Sequence, residues 1–288
     1  MPSLIDIRRR IRSVKNTQQI TKAMKMVSAA KLRRAQDKAI AARPYAKMLQ
    51  QVLANVAEAA GQSEQPLLAA RPEKRILAVV ITADSGLAGG FNANLIKLAQ
   101  RFADDQPGAQ LSFLLIGKKG RDYFRKRLGR WNASIAGEHT DIFRKLTFED
   151  ADKIANAVIE KFTAAEIDAV YVFSNEFKSA LAPQLTSTRL LPIELPSGGT
   201  QQSVDYIYEQ KPEELLGTLL PRYVKLRIYR ALLESIAAEH AARMTAMDAA
   251  TSNASEVIDN LTLYMNRVRQ ATITREIIEI VSGAAALG

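Results

Sequence analysis

A chain of 288 residues, 47% hydrophobic and 24% charged, can build one sizeable domain or two modest ones with a real core, and its composition is not that of a disordered protein. The lack of cysteine excludes disulfide scaffolds, thiolate metal sites and thiol switches, and two histidines, His139 and His240, argue against a protein-only zinc site. The formal charge of +10 is concentrated: residues 1–47 carry thirteen Lys/Arg against Asp6 and Asp37, while the middle balances and residues 212–288 carry eight against nine, so an acidic partner is expected at the start of the chain.

The amino terminus, MPSLIDIRRR, shows neither the apolar run of a secretory signal nor a serine-rich transit stretch, and no apolar run reaches the length of a membrane span. A soluble, reducing compartment is expected, with at most peripheral membrane contact. From Ser3 to about Ala60 there is no glycine, and Leu4, Ile7, Ile11, Val14, Gln18, Thr21, Lys25, Ser28, Leu32, Ala35, Ala39, Ala42, Ala46, Leu49, Leu53, Val56 and Ala60 follow a three-four alternation. This predicts a long helix with a heptad seam. Lys25 is awkward on that seam; sliding by one residue puts Met24 there. Pro44 should bend the helix, at a cost of roughly 3 kcal/mol if it lies inside.

After a loop near Gly61–Arg71 the period changes. Arg75–Ala83 predicts a buried strand, Ala93–Ala103 a helix, Gln110–Gly117 a strand, Arg121–Leu128 a helix and Trp131–Ala136 a strand. A helix over Glu149–Ala165 and strands at Ala169–Ser174, Gln184–Pro192 and Val204–Glu209 follow. Alternating strands and helices predict a doubly wound α/β layer with a mostly parallel sheet.

The stretch from about Pro212 to Leu287 has, between Gly217 and Gly283, a single interior proline, Pro221, and no glycine, and Leu219, Tyr223, Leu226, Leu233, Ala237, Met244, Met247, Ala254, Ile258, Leu261, Met265 and Val268 form a second seam. A rod on the order of 100 Å follows from about 1.5 Å per residue, and a one-sided stripe that long needs a partner helix. Both seams weaken in the middle, the second at His240, Thr251 and Ala254. They are most simply satisfied by winding on each other in antiparallel sense. The expected architecture is α/β with long helices: an antiparallel coiled coil of residues 1–60 and 211–288, with a Rossmann-like α/β domain over 74–210 inserted between them.

Chemistry is sparse. The loop Thr82–Asn92 (TADSGLAGGFN) follows a strand and opens a helix, where phosphates bind in nucleotide folds. It matches neither usual phosphate fingerprint, however, and a structural turn is the better reading. His240 lies on an apolar heptad position, as a packed, hydrogen-bonded histidine would. Asp84 and Ser85 share a turn without a histidine near in sequence, and Glu276 and Glu279 read as a solvated face. No metal-ligand spacing occurs. The basic first helix fits either nucleic acid or an acidic protein surface.

The segment NTQQITKAMKMVSAAKLRRAQ (16–36), the loop DSGLAGGFN, the run VDYIYEQ (204–210) and the ending AARMTAMDAATSNAS … RQATITREIIEIVSGAAAL closely resemble the gamma subunit of the F-type ATP synthase, across essentially the whole chain. The resemblance implies a central rotor shaft that couples ion-driven rotation of the c ring to ATP synthesis or hydrolysis, binding no nucleotide and no cofactor and catalysing nothing itself. The coiled coil would thread the alpha/beta ring, with the foot beside the epsilon subunit and the c ring. Membrane contact would come only through the complex, on the cytoplasmic side of a bacterial plasma membrane, with no nucleic-acid partner.

Carried over by matching positions, Arg269 and Gln270 would catch a loop of the beta subunit. Arg9, Lys22, Met24 and Lys25 would face the acidic lower part of beta, Lys25 departing from the acidic or neutral residue of relatives. Arg243 would couple to the Met24 region. Tyr206, Tyr208 and Glu209 would meet the c ring and epsilon, and Gly86–Gly90 would lie near beta. The alternative from another class is a basic coiled-coil protein that binds nucleic acid.

Overall fold

Strand β1 (Arg75–Ile81) is the centre of the fold. Its RILAVVI run is buried from Ile76 onward on both faces, as a central parallel strand requires. In the computed structural model, which describes residues 3–61, 65–177, 183–194 and 210–287, it is flanked by β2 (Gln110–Ile116) and β4 (Ala169–Phe177). With β3 (Ser134–His139) and β5 (Pro183–Leu191) the sheet has the order β3-β2-β1-β4-β5. All neighbours pair in parallel except β4 with β5. The helices are α1 (Leu4–Ala60), α2 (Phe91–Asp104), α3 (Lys118–Phe124), α4 (Phe148–Thr163) and α5 (Pro212–Leu287).

The chain moves from β1 outward to β2 and β3, then returns to β4 on the other side of β1. Right-handed crossovers therefore set α2 and α3 on one face and α4 on the other. On the first face Ile76, Ala78, Val80, Leu111, Phe113 and Leu115 pack against Leu95 and Ala99 of α2 and Phe124 of α3. Period-two alternation sends Leu77, Val79 and Ile81 to the other face, and they are equally buried. Helix α4 starts at a capping box, Thr147 accepting from the Asp150 amide while the Asp150 carboxylate accepts from Thr147, and buries Ile154, Val158 and Phe162.

The predicted strands at 75–83, 110–117, 169–174 and 184–192 and the helices at 93–103 and 149–165 are all present. Two elements sit elsewhere than the sequence suggested. The helix expected over 121–128 runs Lys118–Phe124. It starts at Gly117, whose φ of +89° and close approach to the Thr82 carbonyl leave no room for a Cβ. The strand expected at 131–136 runs 134–139 because Trp131 packs into the core, donates to Asp104 at 2.7 Å, and is followed by Asn132 at positive φ. Helix α1 continues through Pro44 and α5 through Gly217 and Pro221. The strand expected at 204–209 lies outside the described residues.

The chain divides into two compact units, Met1–Ser28 with Met244–Gly288, and Ala29–Arg243. The second holds the sheet with the adjoining parts of α1 and α5. The first is a pair of helical segments in contact at Gln18 with Ser255 (2.6 Å), Thr21 with Thr251 (2.7 Å) and Lys25 with Asp248 (2.6 Å). As the number falls on one helix it rises on the other, so the pair is antiparallel. Every seam position named for α1, from Leu4 to Ala60, is buried or half-buried.

Candidate functional site

Polar residues at the middle of the paired segments turn a weak seam into a specific one. The Gln18 amide donates to Ser255 Oγ, and the Thr21 and Thr251 hydroxyls lie 2.7 Å apart, each also close to a carbonyl of its own helix. The Lys25 ammonium reaches Asp248. Met24 and Lys25 are both half-buried: the lysine lays its aliphatic stem along the seam and keeps its charge at the edge, which resolves the choice between the two registers. Arg9 and Lys22 are exposed on the same helix.

Continuing that register toward the start of α1 sets Leu4 opposite Val268–Arg269. The last part of α5 therefore runs on beyond its partner segment. Arg269 and Gln270 are exposed at the point where pairing ends. Beyond them Ile273, Ile277, Ile278, Ile280 and Val281 are exposed, at 47% to 71%. Large exposed apolar side chains at this density, interspersed with Arg275, Glu276 and Glu279, mark a surface for another protein.

The loop after β1 lies at the switch point between β2 and β4, where open α/β sheets bind ligands. Here its own chain holds it. Asn92 Oδ1 accepts from the Ala83 amide, and Asn92 Nδ2 donates to the Ser85 carbonyl. Asp84 accepts from the amides of Lys118 and Asp141. Ala83, Ala88 and Phe91 pack on Ala238 of α5. Arg243, also on α5, donates to Ser85 Oγ (2.7 Å), to the Gly86 carbonyl (3.1 Å) and to Glu239. These bonds fix the loop from both sides, as in a structural turn. Among the described residues no cluster of His, Asp or Glu is arranged for a metal ion.

Glu239 is buried and His240 nearly so; the imidazole Nδ1 lies 3.0 Å from the Glu239 carboxylate without the alignment of a hydrogen bond. Burial pushes the Glu239 carboxyl up, but His240 and Arg243 outweigh it and hold its pKa below the usual value. The sequence marks Arg243, Ser85 and Gly86 separately without pairing them, and does not mark Glu239. Only the i, i+4 spacing of Glu239 and Arg243 gave a local signal. Tyr206, Tyr208 and Glu209 lie outside the described residues.

A family model described as ATP synthase matches residues 3–287. The sequence is 63% identical over 290 residues to the ATP synthase gamma chain of Solibacter usitatus, covering 99% of each chain. The chain belongs to the ATP synthase gamma-chain family. It is also 51% identical to the gamma chain of Pelotomaculum thermopropionicum over the full length of both. Among solved structures, the central stalk and c-ring assembly of Tetrahymena thermophila mitochondrial ATP synthase contains a chain 26% identical at a TM-score of 0.59, with 80% of this chain and 99% of that one covered. A chain of the Euglena gracilis enzyme, in an OSCP/F1/c-ring assembly, shares the fold at a TM-score of 0.69 and 19% identity, with 99% and 94% covered. The antiparallel helix pair and the α/β layer are thus gamma-chain features. No helix among the described residues is long and apolar enough to cross a membrane.

Proposed function

We propose that this chain is the central rotor shaft of an F-type ATP synthase, coupling ion-driven rotation of a c ring to ATP synthesis or hydrolysis at alpha/beta catalytic sites. The observation that carries the proposal is the antiparallel pair of the two chain ends, with α5 running on past it as an exposed apolar tip in a gamma-chain family member. A single asymmetric shaft inside a ring of like subunits touches each one differently. Only such differential contact holds equivalent sites in different states, and rotation passes those states around the ring. Arg275, Glu276 and Glu279 sit on the lower part of the exposed end, and its last residues, 280–287, carry no charge, so that end can turn in an apolar sleeve.

On this proposal the chain itself is not a catalyst, and it divides into a shaft, 1–60 with 211–288, and a foot, 74–210. Arg9, Lys22, Met24 and Lys25 present a largely basic face to an acidic surface of beta. Arg269 and Gln270 make directional, charge-assisted contacts with a beta loop and act as a detent. Arg243 couples to the Met24 region of the shaft, and Tyr206, Tyr208 and Glu209 face the c ring and epsilon. The protein then sits at the cytoplasmic face of a bacterial plasma membrane, attached through the complex. The test is reconstitution: alpha and beta subunits mixed with this chain should gain rotation-dependent ATPase activity over alpha and beta alone. Failure of the chain to associate with them would overturn the proposal.

A further inference from the structure

Within the unit 29–243, α5 meets the loop after β1 through the small residues Ala238 and Ala242. Ala238 packs on Ala83, Ala88 and Phe91, with Ala242 beside them. The Asn175 amide at the end of β4 donates to Ser235 at 3.4 Å, a long bond. Small apolar contacts and one long hydrogen bond let two elements approach closely but resist sliding poorly, since apolar contact has no preferred direction. Farther back, α5 is tied by Lys225 to Asp152 (2.7 Å) and by Arg227 to the Arg189 carbonyl (3.2 Å); at the carboxyl edge of the sheet the directional restraint is Arg243. Arg243 reaches across to Ser85 Oγ and the Gly86 carbonyl, and the same guanidinium nitrogen meets Glu239 one turn back.

Both members are set into the protein, with the Arg243 side chain 12% and the Glu239 side chain 4% exposed. An arginine without an opposing carboxylate in such a place would be drawn toward water rather than toward a serine and a carbonyl. Immediately after Gly86, Leu87 takes φ = +62° with its side chain 63% exposed, and Gly89 takes φ = +53°. A leucine persists in the left-handed region only where its surroundings over-determine it. The Arg243 bond to the preceding carbonyl, with the Asn92 and Asp84 bonds on either side, supplies that. Arg243 is also the last residue that α5 gives to this unit.

We propose that Glu239 is a positioning residue: its carboxylate fixes the Arg243 guanidinium on Ser85–Gly86, making a stiff joint between α5 and the carboxyl edge of the sheet. Load carried along α5 from beyond Arg243 enters the α/β layer at this joint. The second statement rests on the rotor assignment; the first does not.

Amide hydrogen exchange of the full chain tests the joint. In Glu239→Gln, which keeps shape but removes charge, and in Arg243→Lys, which keeps charge but removes the planar fork, exchange across 83–90 rises about tenfold or more, as expected for loss of a charge-assisted hydrogen bond. Ser85→Ala, the mildest change, gives a smaller rise. Strand 76–81 stays as slow as in the parent, showing that the fold persists. Unchanged exchange at 83–90 in all three variants overturns the joint. In the complex with alpha, beta, epsilon and the membrane sector, Glu239→Gln lowers the ratio of ions transported to ATP hydrolysed. Faster exchange with an unchanged ratio overturns the mechanical role alone. A parent chain that never assembles with alpha and beta overturns the rotor assignment and leaves the exchange result standing.

Discussion

The sheet and the paired chain ends are held together by opposite means. Around β1 the buried residues are large and apolar: Phe113, Phe124, Phe162 and Phe173 are wholly buried, with ring pairs such as Phe113 and Phe124 at 4.6 Å. In the paired ends the inward positions include Thr21, Ser28 and Ala254, with a few larger groups such as Ile7 and Met247. Apolar packing stabilises strongly and says little about register, whereas hydrogen-bonded side chains stabilise weakly and fix it. The sheet is built to stay as it is. The helix pair is built to keep its alignment while presenting an outer surface to other subunits.

The largest effect should therefore come from the sheet core. Phe113→Ala removes a wholly buried ring from the face under α2 and α3 and should cost about 4 kcal/mol, seen as a lower urea midpoint for the unit 29–243. A loss below about 1 kcal/mol would mean that the core closes over the gap, against the close packing inferred here.

A smaller loss should come from the charge at the far end of the same sheet. Asp168, almost fully buried, accepts from the Arg75 amide at 2.9 Å and from its guanidinium at 2.6 and 3.2 Å. The Arg75 side-chain bonds hold its carboxyl below the usual range despite burial. Because Arg75 is 41% exposed, solvent screens part of the attraction. Asp168→Ala should cost about 2 kcal/mol at neutral pH. A depressed folded pKa places the contribution above the unfolded value near 3.9 and removes it as pH falls through the folded value. Parent and variant stabilities should thus converge on acidification; a gap that stays constant with pH would count against the ion pair.

In the helix pair the expected changes shrink and acquire a different pattern. Thr21→Val or Thr251→Val alone leaves one hydroxyl without its neighbour and should cost about 1 kcal/mol, while the two together should be nearly neutral, since both partners become apolar isosteres. The double variant should, however, show weaker register specificity, readable as faster amide exchange over 14–25. Additive losses would mean that the two hydroxyls do not interact.

The contrast also explains what the sequence could reveal. Period-two and heptad patterns are local, so β1, β2, β4 and the helical periodicity of α1 from Leu4 to Ala60 were legible in the sequence, with the polar middle of the seam at Gln18, Thr21, Lys25 and Ser28 as the exception. Lys25 looked misplaced because its answer, Asp248, lies on the other chain end. The Arg243 joint was hidden for a related reason: Ser85 and Arg243 are brought together only by the fold, and nothing around Ser85 marks it as an acceptor. Helix α3 begins at Lys118, ahead of the expected Arg121, and contains Gly120. That glycine's lack of a side chain is what admits Thr82, whose Oγ1 accepts from the Gly120 amide.

The smallest effect on the isolated chain, and the most informative for function, should come where the pairing of the two ends stops. Arg269 and Gln270 are exposed on α5, so replacing either by alanine should change folding stability by less than about 0.5 kcal/mol. Their worth lies outside the chain. A guanidinium and an amide where the pairing ends are directional groups, so they can set an angular preference at that level of the shaft. In the complex, Arg269→Ala and Gln270→Ala should lower ATP turnover while leaving assembly intact, the arginine more than the glutamine because its bonds carry charge. Unaltered turnover in both variants would move the catch elsewhere on the shaft, leaving the basic face at Arg9 and Lys22 as the surface whose contacts differ around the ring.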